Sequence, residues 1–434
     1  MLKRAFIAVV TIGALCAAGV MEWGCSKSSS TEPAGAGSVV TVAGKVIGQN
    51  GQGVGNVPVF VTGKPSTNTD ANGNFSIASV STPYDITVVD GTNKRALVYK
   101  GLTRQDPTLT FLGSSPGTAR HGAVNGKISG GAFTPNQGAS DVTKVVFAST
   151  ETSAGLNTAA NGIFGPINLT WYGPTVTTGN LYALQFTTDG TGFPIASGYR
   201  GYGTKSGIAV NDGSTLTNQF DTLQSVGTSQ FTASVTVPSG YSLVQKSLSV
   251  RVSQTTLIAI LSDATLNAAV SYYTPSIAGA SLVLSVQASK SGAQAIYFKN
   301  GLATGATGAA IGIVAAPDLS LPVSGASGVD TTVTFSWTAM TGGIHLIQYT
   351  STGNPTYQVL TVGTSATIPN LKGQGLGLPS GATYQWSVVG IGPFASSDDA
   401  AGSSGFLGAL TNPALLTSDA FLGVSGARTF TTAP

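Results

Sequence analysis

From Val40 onward the chain alternates apolar and polar residues over short runs: Val40 and Val42, Lys45 to Ile47, Val57 to Val61, Phe75 to Ile77, Ile86 to Val89, Leu97 to Tyr99 and Leu109 to Phe111. A side-chain period of two puts successive residues on opposite faces, so each run predicts a half-buried β-strand. Asn50-Gly51, Asn72-Gly73 and Asp90-Gly91 fall between the runs, and such pairs accept the positive φ of tight hairpin turns. No run between these turns has helical spacing. Residues 39–112 therefore read as a small antiparallel β-sandwich.

The pattern recurs further along. Tyr84-Asp85-Ile86-Thr87-Val88-Val89-Asp90-Gly91-Thr92 is echoed, with one residue inserted, by Tyr182-Ala183-Leu184-Gln185-Phe186-Thr187-Thr188-Asp189-Gly190-Thr191, and Gly44-Lys45-Val46 is echoed by Gly126-Lys127-Ile128. A spacing of about ninety residues lets each copy close its own core, so it marks repeated domains and not a solenoid. We expect a second sandwich over 120–218 and a third over 219–315, the latter with strands at Phe231 to Val237, Leu243 to Val252, Thr256 to Leu261, Ala280 to Val286 and Ala309 to Val314. With 317–434 as the last domain, the chain reads as all-β, a tandem of antiparallel β-sandwiches.

Two stretches resemble known families. Gly44-Lys45-Val46, Gly53-Val54-Gly55-Asn56-Val57-Pro58-Val59 and Thr69-Asp70-Ala71-Asn72-Gly73-Asn74-Phe75 resemble the carboxypeptidase regulatory-like domain, a transthyretin-like sandwich. That resemblance implies a non-catalytic module on a secreted or surface protein. Val333-Thr334-Phe335-Ser336-Trp337 resembles the early core strand of a fibronectin type III domain, and Leu378-Pro379-Ser380-Gly381-Ala382-Thr383-Tyr384 resembles its tyrosine corner, with Thr429 to Thr432 as the closing strand. Such a corner buries the tyrosine ring while its hydroxyl bonds to a nearby main-chain group. The chain departs from that family by an inserted loop over 394–425 that carries Phe406 to Leu410 and Phe421-Leu422. Those apolar groups either contact a partner or fold back over their own domain, and the second is the stronger expectation.

At the other end, Lys3 and Arg4 precede an apolar run from Ala5 to Val20, followed by Gly24, Cys25 and a Ser/Lys tract. The run is shorter than the roughly 20 apolar residues of a spanning helix and has the layout of a signal peptide over 1–24. Its flank resembles the lipobox of bacterial lipoproteins, with Cys25 as the acylated residue and a small polar tether over 25–38. Glu22 and Trp23 depart from the apolar and small residues usual there, and Cys16, after the bulky Leu15, is the weaker candidate. An ordinary secretory signal with an incidental thiol is the alternative. The resemblance implies a membrane partner through a lipid anchor and a place in the bacterial cell envelope, at the outer membrane or cell surface.

Composition narrows the partners. Charged residues make up 9% of the chain, against about 25% in an ordinary soluble domain, while glycine reaches 58. No cysteine follows Cys25, so the mature chain cannot be stapled by internal disulfides. Removing Lys3, Arg4 and Glu22 from the 20 basic and 17 acidic side chains leaves 18 and 16, a net charge of +2 spread without a basic patch. Nucleic acid is disfavoured as a partner, because it requires clustered Lys and Arg to displace counterions.

Candidate chemistry is sparse. His121 and His345 fall in different expected domains, and a zinc site would need carboxylates to converge on them. Asp70, Asn72 and Asn74 suggest a calcium loop but lack its downstream bidentate glutamate. Gly113-Ser114-Ser115-Pro116-Gly117 matches a nucleophile elbow with His121 close behind, yet Pro116, Gly117 and Gly122 stand where a helix should follow. Glycosidase chemistry needs paired carboxylates, and only Glu32 and Glu151 remain beyond the signal, with most aspartates in turns. We therefore expect no catalytic residue, metal or cofactor. Sugar binding through aromatic faces is the more tenable activity, with Trp171, Tyr172, Tyr199 and Tyr202 as candidates; only one of Trp171 and Tyr172 can face the core. The expected function is a non-catalytic surface scaffold. A carbohydrate-binding or adhesive protein, with a polysaccharide or surface protein as partner, is the alternative, and a hydrolase or hydrolase accessory is the least favoured.

Overall fold

The computed structural model describes residues 37–113, 117–138, 140–403 and 405–434. The expected signal peptide and Cys25 lie outside them, as do Ser114 to Pro116 of the glycine-serine motif. The described chain is all-β, with sheets packed about four apolar cores and only short helical turns after residue 370.

In the first unit the strand Val39–Gly48 lies between Asn74–Ser81, antiparallel, and Thr108–Phe111, parallel. The facing layer holds Pro58–Val61, Tyr84–Asp90 and Arg95–Leu102. Val42, Val46, Phe75, Ile77, Ile86, Val88 and Leu97 meet between the layers, which is why apolar residues fall on alternate positions of these strands. The Asp70 turn closes on itself: its Oδ1 accepts from the backbone N–H groups of Asn72 and Asn74 at 2.9 and 2.8 Å, and Gly73 takes the positive φ that follows.

The repeated Gly-Lys motif has a physical cause. Gly44 faces Phe75 across the antiparallel ladder, and a Cβ there would lie 2.6 Å from the Phe75 ring and 2.4 Å from the Pro107 carbonyl oxygen. Gly126 faces Phe164 in the second unit, where a Cβ would lie 2.6 Å from that ring and 1.9 Å from the Gln219 carbonyl oxygen. In both units a phenylalanine lies over the first strand while the last strand crowds it from the other side, and only glycine leaves room.

The second unit is a seven-stranded sheet that begins with Arg120–Gly131 and ends with Thr215–Ser225. Thr215–Ser225 runs through residue 218, where the sequence placed a boundary. The third unit spans Gly227–Thr236 to Ala309–Gly312 and contains two strands that the sequence did not signal, Ala269–Ser276 and Ala293–Leu302. In the last unit Phe335–Trp337, Ile344–Thr350, Thr356–Thr361 and Thr383–Gly392 surround an aromatic core in which Phe335 meets Tyr349, Trp386 and Phe430 edge-on at 4.8, 5.0 and 5.2 Å. Tyr384 buries its ring, and its hydroxyl donates to the Pro355 carbonyl at 3.0 Å, a partner 29 residues upstream and not a local one.

The units are not beads on a string. Arg95–Leu102 of the first unit pairs in parallel with Thr356–Thr361 of the last, from Arg95 opposite Thr356 to Tyr99 opposite Leu360. Ala293–Leu302 of the third pairs antiparallel with Ala420–Val424. One sheet of 14 strands thereby runs through the first, last and third units.

Residues 394–425 are not the single loop expected from the sequence. They form three helical turns, Ser397–Ala400, Leu407–Thr411 and Pro413–Leu415, and the strand Ala420–Val424, which is inserted between Ala293–Leu302 and Thr383–Gly392. The segment covers more than its own domain. Phe406, Ala409 and Leu410 complete the core of the first unit, with the Phe406 ring 6.2 Å from Tyr99. The Asp398 carboxylate accepts from the backbone N–H groups of Thr103 and Arg104 at 2.9 and 3.0 Å. Further on, Asp419 accepts from Lys299 Nζ at 2.7 Å and from Tyr297 Oη and the Asn300 N–H at 3.0 Å, while Arg251 and Asn300 donate to carbonyls between Pro413 and Ser418. The segment is thus a brace across three units.

Because Phe406 is wholly buried in the core of the first unit, Phe406→Ala is expected to destabilise that unit by about 3–5 kcal/mol, although the residue lies some 300 positions away in sequence. Calorimetry combined with limited proteolysis should show earlier melting and cleavage within residues 39–112; an unchanged profile there would refute the brace.

Candidate functional site

The sequence singled out four aromatic residues, and the fold places three of them, Trp171, Tyr199 and Tyr202, in or against two different cores and leaves Tyr172 outside both. Trp171 ends the strand Ile163–Trp171 with 1% of its surface exposed, and its indole N–H donates to the Pro174 carbonyl at 2.8 Å. It fills the core of the second unit beside Val210, Ile208 and Leu169. Tyr172, on the other face, is half-buried. The alternation had required one of the two to face inward, and it is the tryptophan. Tyr199 and Tyr202 lie on Pro194–Asn211 opposite Phe186 and Leu184. Tyr199 is buried, stacks obliquely on Phe186 at 5.5 Å, and its hydroxyl donates to the Tyr273 carbonyl of the third unit at 3.1 Å. Tyr202 packs against the same core. This pair cements the second unit to the third, and the four rings do not form one platform.

The chain on either side of Tyr172 borders a polar corner that sequence reasoning did not assemble: Trp171 lies opposite Arg120 and Thr170 opposite His121. The Asp212 carboxylate accepts from Arg120 Nη1 at 2.9 Å and from the His121 backbone N–H at 3.0 Å; Arg120 Nε donates to the Gly173 carbonyl at 2.9 Å, and His121 Nδ1 lies 3.2 Å from Thr170 Oγ1. Hydrogen bonds from the His121 backbone and Arg120 hold the exposed Asp212 carboxyl below the usual carboxylate range. The signals were present as Arg120-His121 and Asp212-Gly213, but 91 residues separate the partners and only the fold joins them.

Other ionisable groups are engaged in the framework. Lys246 and Asp263 face each other across adjacent strands, both almost wholly buried, with Nζ 3.1 Å from Oδ2. The ammonium also donates to the Thr265 and Asn267 carbonyls at 2.8 Å, so its three protons have three acceptors. Burial pushes the Asp263 carboxyl up, but hydrogen bonds from Thr265, Tyr272 and Lys246 outweigh it and hold the group below the usual carboxylate range. Gln185, fully buried, is met on every side by Thr134, Asn136 and Thr143. Glu151 accepts from the hydroxyls of Thr150 and Thr177. Among the described residues no three His, Cys, Asp or Glu side chains gather as metal ligands.

His345 is the buried titratable group with a consequence for stability. It lies on Ile344–Thr350, 1% exposed, with its ring 5.7 Å from that of Trp337, and Nε2 accepts the Met340 backbone N–H at 3.0 Å. Accepting at Nε2 assigns the neutral tautomer with the proton on Nδ1. Burial depresses its pKa, and the backbone at Gly363 and Thr361 opposes this only partially. The unfolded chain therefore binds a proton before the folded one does, so the contribution is intact above the ordinary histidine value of about 6.5 and declines as pH falls below it. The melting temperature of the last unit should drop between about pH 6.5 and 5, and His345→Gln should flatten that dependence; an equal slope in the variant would contradict the assignment.

No protein-family model matches the chain, and no curated protein matches it. Among solved structures it is similar to the Bacillus anthracis TIE protein (8% identity, 63% of this chain and 50% of that one, TM-score 0.16), so the chain spans half the length of that protein. It is also similar to the fimbrial anchor protein Mfa2 from Porphyromonas gingivalis (11% identity, 38% and 77%, TM-score 0.18) and to two B repeat units of the collagen-binding protein of Staphylococcus aureus (10% identity, 92% and 100%, TM-score 0.13). Likenesses at these scores and identities carry no functional assignment.

Proposed function

We propose that the chain is a non-catalytic lipoprotein of the bacterial cell envelope, acylated at Cys25, in which a rigid array of sandwiches spaces or displays a face away from the membrane. The observation that carries this reading is the continuous sheet through three units, braced by residues 394–425: it fixes the units relative to one another, as a spacer requires and as flexible linkers would not. The export layout of residues 1–25, the resemblances to carboxypeptidase regulatory-like and fibronectin type III domains, and the engagement of buried ionisable groups in framework bonds support it further. Two acyl chains or more give stable anchoring where one gives only marginal binding. Cells fed labelled fatty acid should transfer label to the protein, Cys25→Ala should abolish it, and protease added to intact cells should reach the chain. Label retained by the variant, or a chain confined to the cytosol, refutes the proposal.

A second reading, carbohydrate binding, is favoured by one observation: the half-buried Tyr172 lies in the chain between Trp171, opposite Arg120 in the ladder, and Gly173, whose carbonyl accepts from Arg120 Nε, so an aromatic residue and the Arg120–Asp212 pair occur in one short stretch of surface. Pull-down on insoluble polysaccharide should then weaken at least tenfold in Tyr172→Ala, while Tyr202→Ala, at the joint with the third unit, should retain binding. Equal retention by the native protein and Tyr172→Ala removes the reading.

A further inference from the structure

Each of the first three units starts and finishes with strands that lie side by side and run in the same direction; in the last unit an initial strand, Leu319–Leu321, pairs antiparallel with Phe335–Trp337, and the second strand, Ala326–Val329, lies parallel to the final one. Lys45 to Gly48 pair with Thr108 to Phe111 in the first, and Ala233 to Thr236 pair with Ala309 to Gly312 in the third. In the second, Ala123 to Gly131 pair with Thr215 to Leu223, and in the last, Ala326 and Val329 pair with Phe430 and Thr432. Main-chain bonds extend each ladder beyond its strands: Ala43 N–H to Gln105 O at 2.7 Å, Ala132 N–H to Leu223 O at 2.8 Å, Ile313 N–H to Thr236 O at 3.0 Å, and Ala433 N–H to Val329 O at 2.9 Å.

Direction decides how such a ladder answers a pull. In a parallel pair the incoming end of the first strand and the outgoing end of the last lie at opposite ends of the ladder. Tension applied through the chain then acts along the strands, and every bond shares it at once. An antiparallel closing pair would place both ends together, and the bonds would break in succession. The ladder is not the only restraint: Val39–Gly48, Arg120–Gly131 and Gly227–Thr236 each carry a second, antiparallel partner on their other side, so withdrawing any of them breaks two ladders. In the last unit it is the final strand, Arg428–Thr432, that has two partners.

The geometry points to a mechanical function: the first three units are each closed so that force entering through their own ends is met in shear once the inter-unit ladders at Arg95–Leu102 and Ala293–Leu302 have parted, which makes this a tension-bearing spacer. It deepens the surface reading above and rests on it for the source of the pull, an anchored N-terminal end and a gripped far end.

Single-molecule force spectroscopy tests the proposal on purified residues 25–434 produced without residues 1–24, so that the Cys25 thiol is free and not acylated. In one geometry the protein is held through Cys25 and an added C-terminal cysteine. In the other, a Cys25→Ser chain is held through Gln230→Cys and Thr307→Cys, two exposed positions at the same end of the third unit's closing ladder. Circular dichroism establishes that both chains are folded. The third unit, recognised by the length it releases, should yield at a force several-fold lower through Gln230→Cys and Thr307→Cys than through the chain ends. Equal forces in the two geometries, or smooth extension of the end-held chain without resistance, overturns the proposal. The measurement uses isolated protein, so its failure is separate from failure of the surface assignment, which fatty-acid labelling and protease access decide on cells.

Discussion

A strand at the edge of a sheet presents a row of unpaired amide and carbonyl groups, and this chain meets that constraint by closing the edges of its units against one another. Arg95–Leu102 and Thr356–Thr361 would each be an open edge in an isolated sandwich; paired, they become interior strands of a shared sheet. The same holds for Ala293–Leu302 and Ala420–Val424. What fixes the arrangement of the units is thus main-chain bonding, backed by the burial of Phe406 and Leu410, and not a pattern of surface charges.

That choice suits a chain with so few ionisable groups. Seven ion pairs occur among the described residues, and several of them link segments distant in sequence: Lys299 with Asp419, Arg120 with Asp212, Lys290 with Asp318. An exposed pair contributes little to stability, so these serve mainly to fix registry. The buried Lys246–Asp263 pair is different in kind. Removing one partner would leave an uncompensated charge in an apolar core, whereas the pair with its full set of acceptors holds two strands in a single alignment.

The all-β class was legible in the sequence because alternation and Asn-Gly or Asp-Gly turns are local signals. The glycine repeat was legible too, since Gly44 and Gly126 answer the same steric demand in two units. What escaped was long-range. Ala269–Ser276 does alternate, with Val270 and Tyr272 inside and Ala269 and Ser271 outside, but the run is short and broken by Pro275; Ala293–Leu302 puts alanines at its inward positions and so shows little contrast between faces. Residues 394–425 read as a loop because their strand, Ala420–Val424, is apolar on both faces and its partners lie more than a hundred residues away or on the far side of residues 393–419. Trp171 and Tyr199 were attractive as ligand-facing rings for the same reason that they are core residues: large aromatics suit both tasks, and only burial separates them.

The brace formed by residues 394–425 sets an order of assembly. Synthesis delivers the first unit several hundred residues before Phe406 and Leu410, so the apolar surface awaiting them stays open while the rest of the chain emerges. A truncated product ending before the brace would keep a greasy face for proteases to recognise. The earliest stretch of the protein to be made is among the last to be finished.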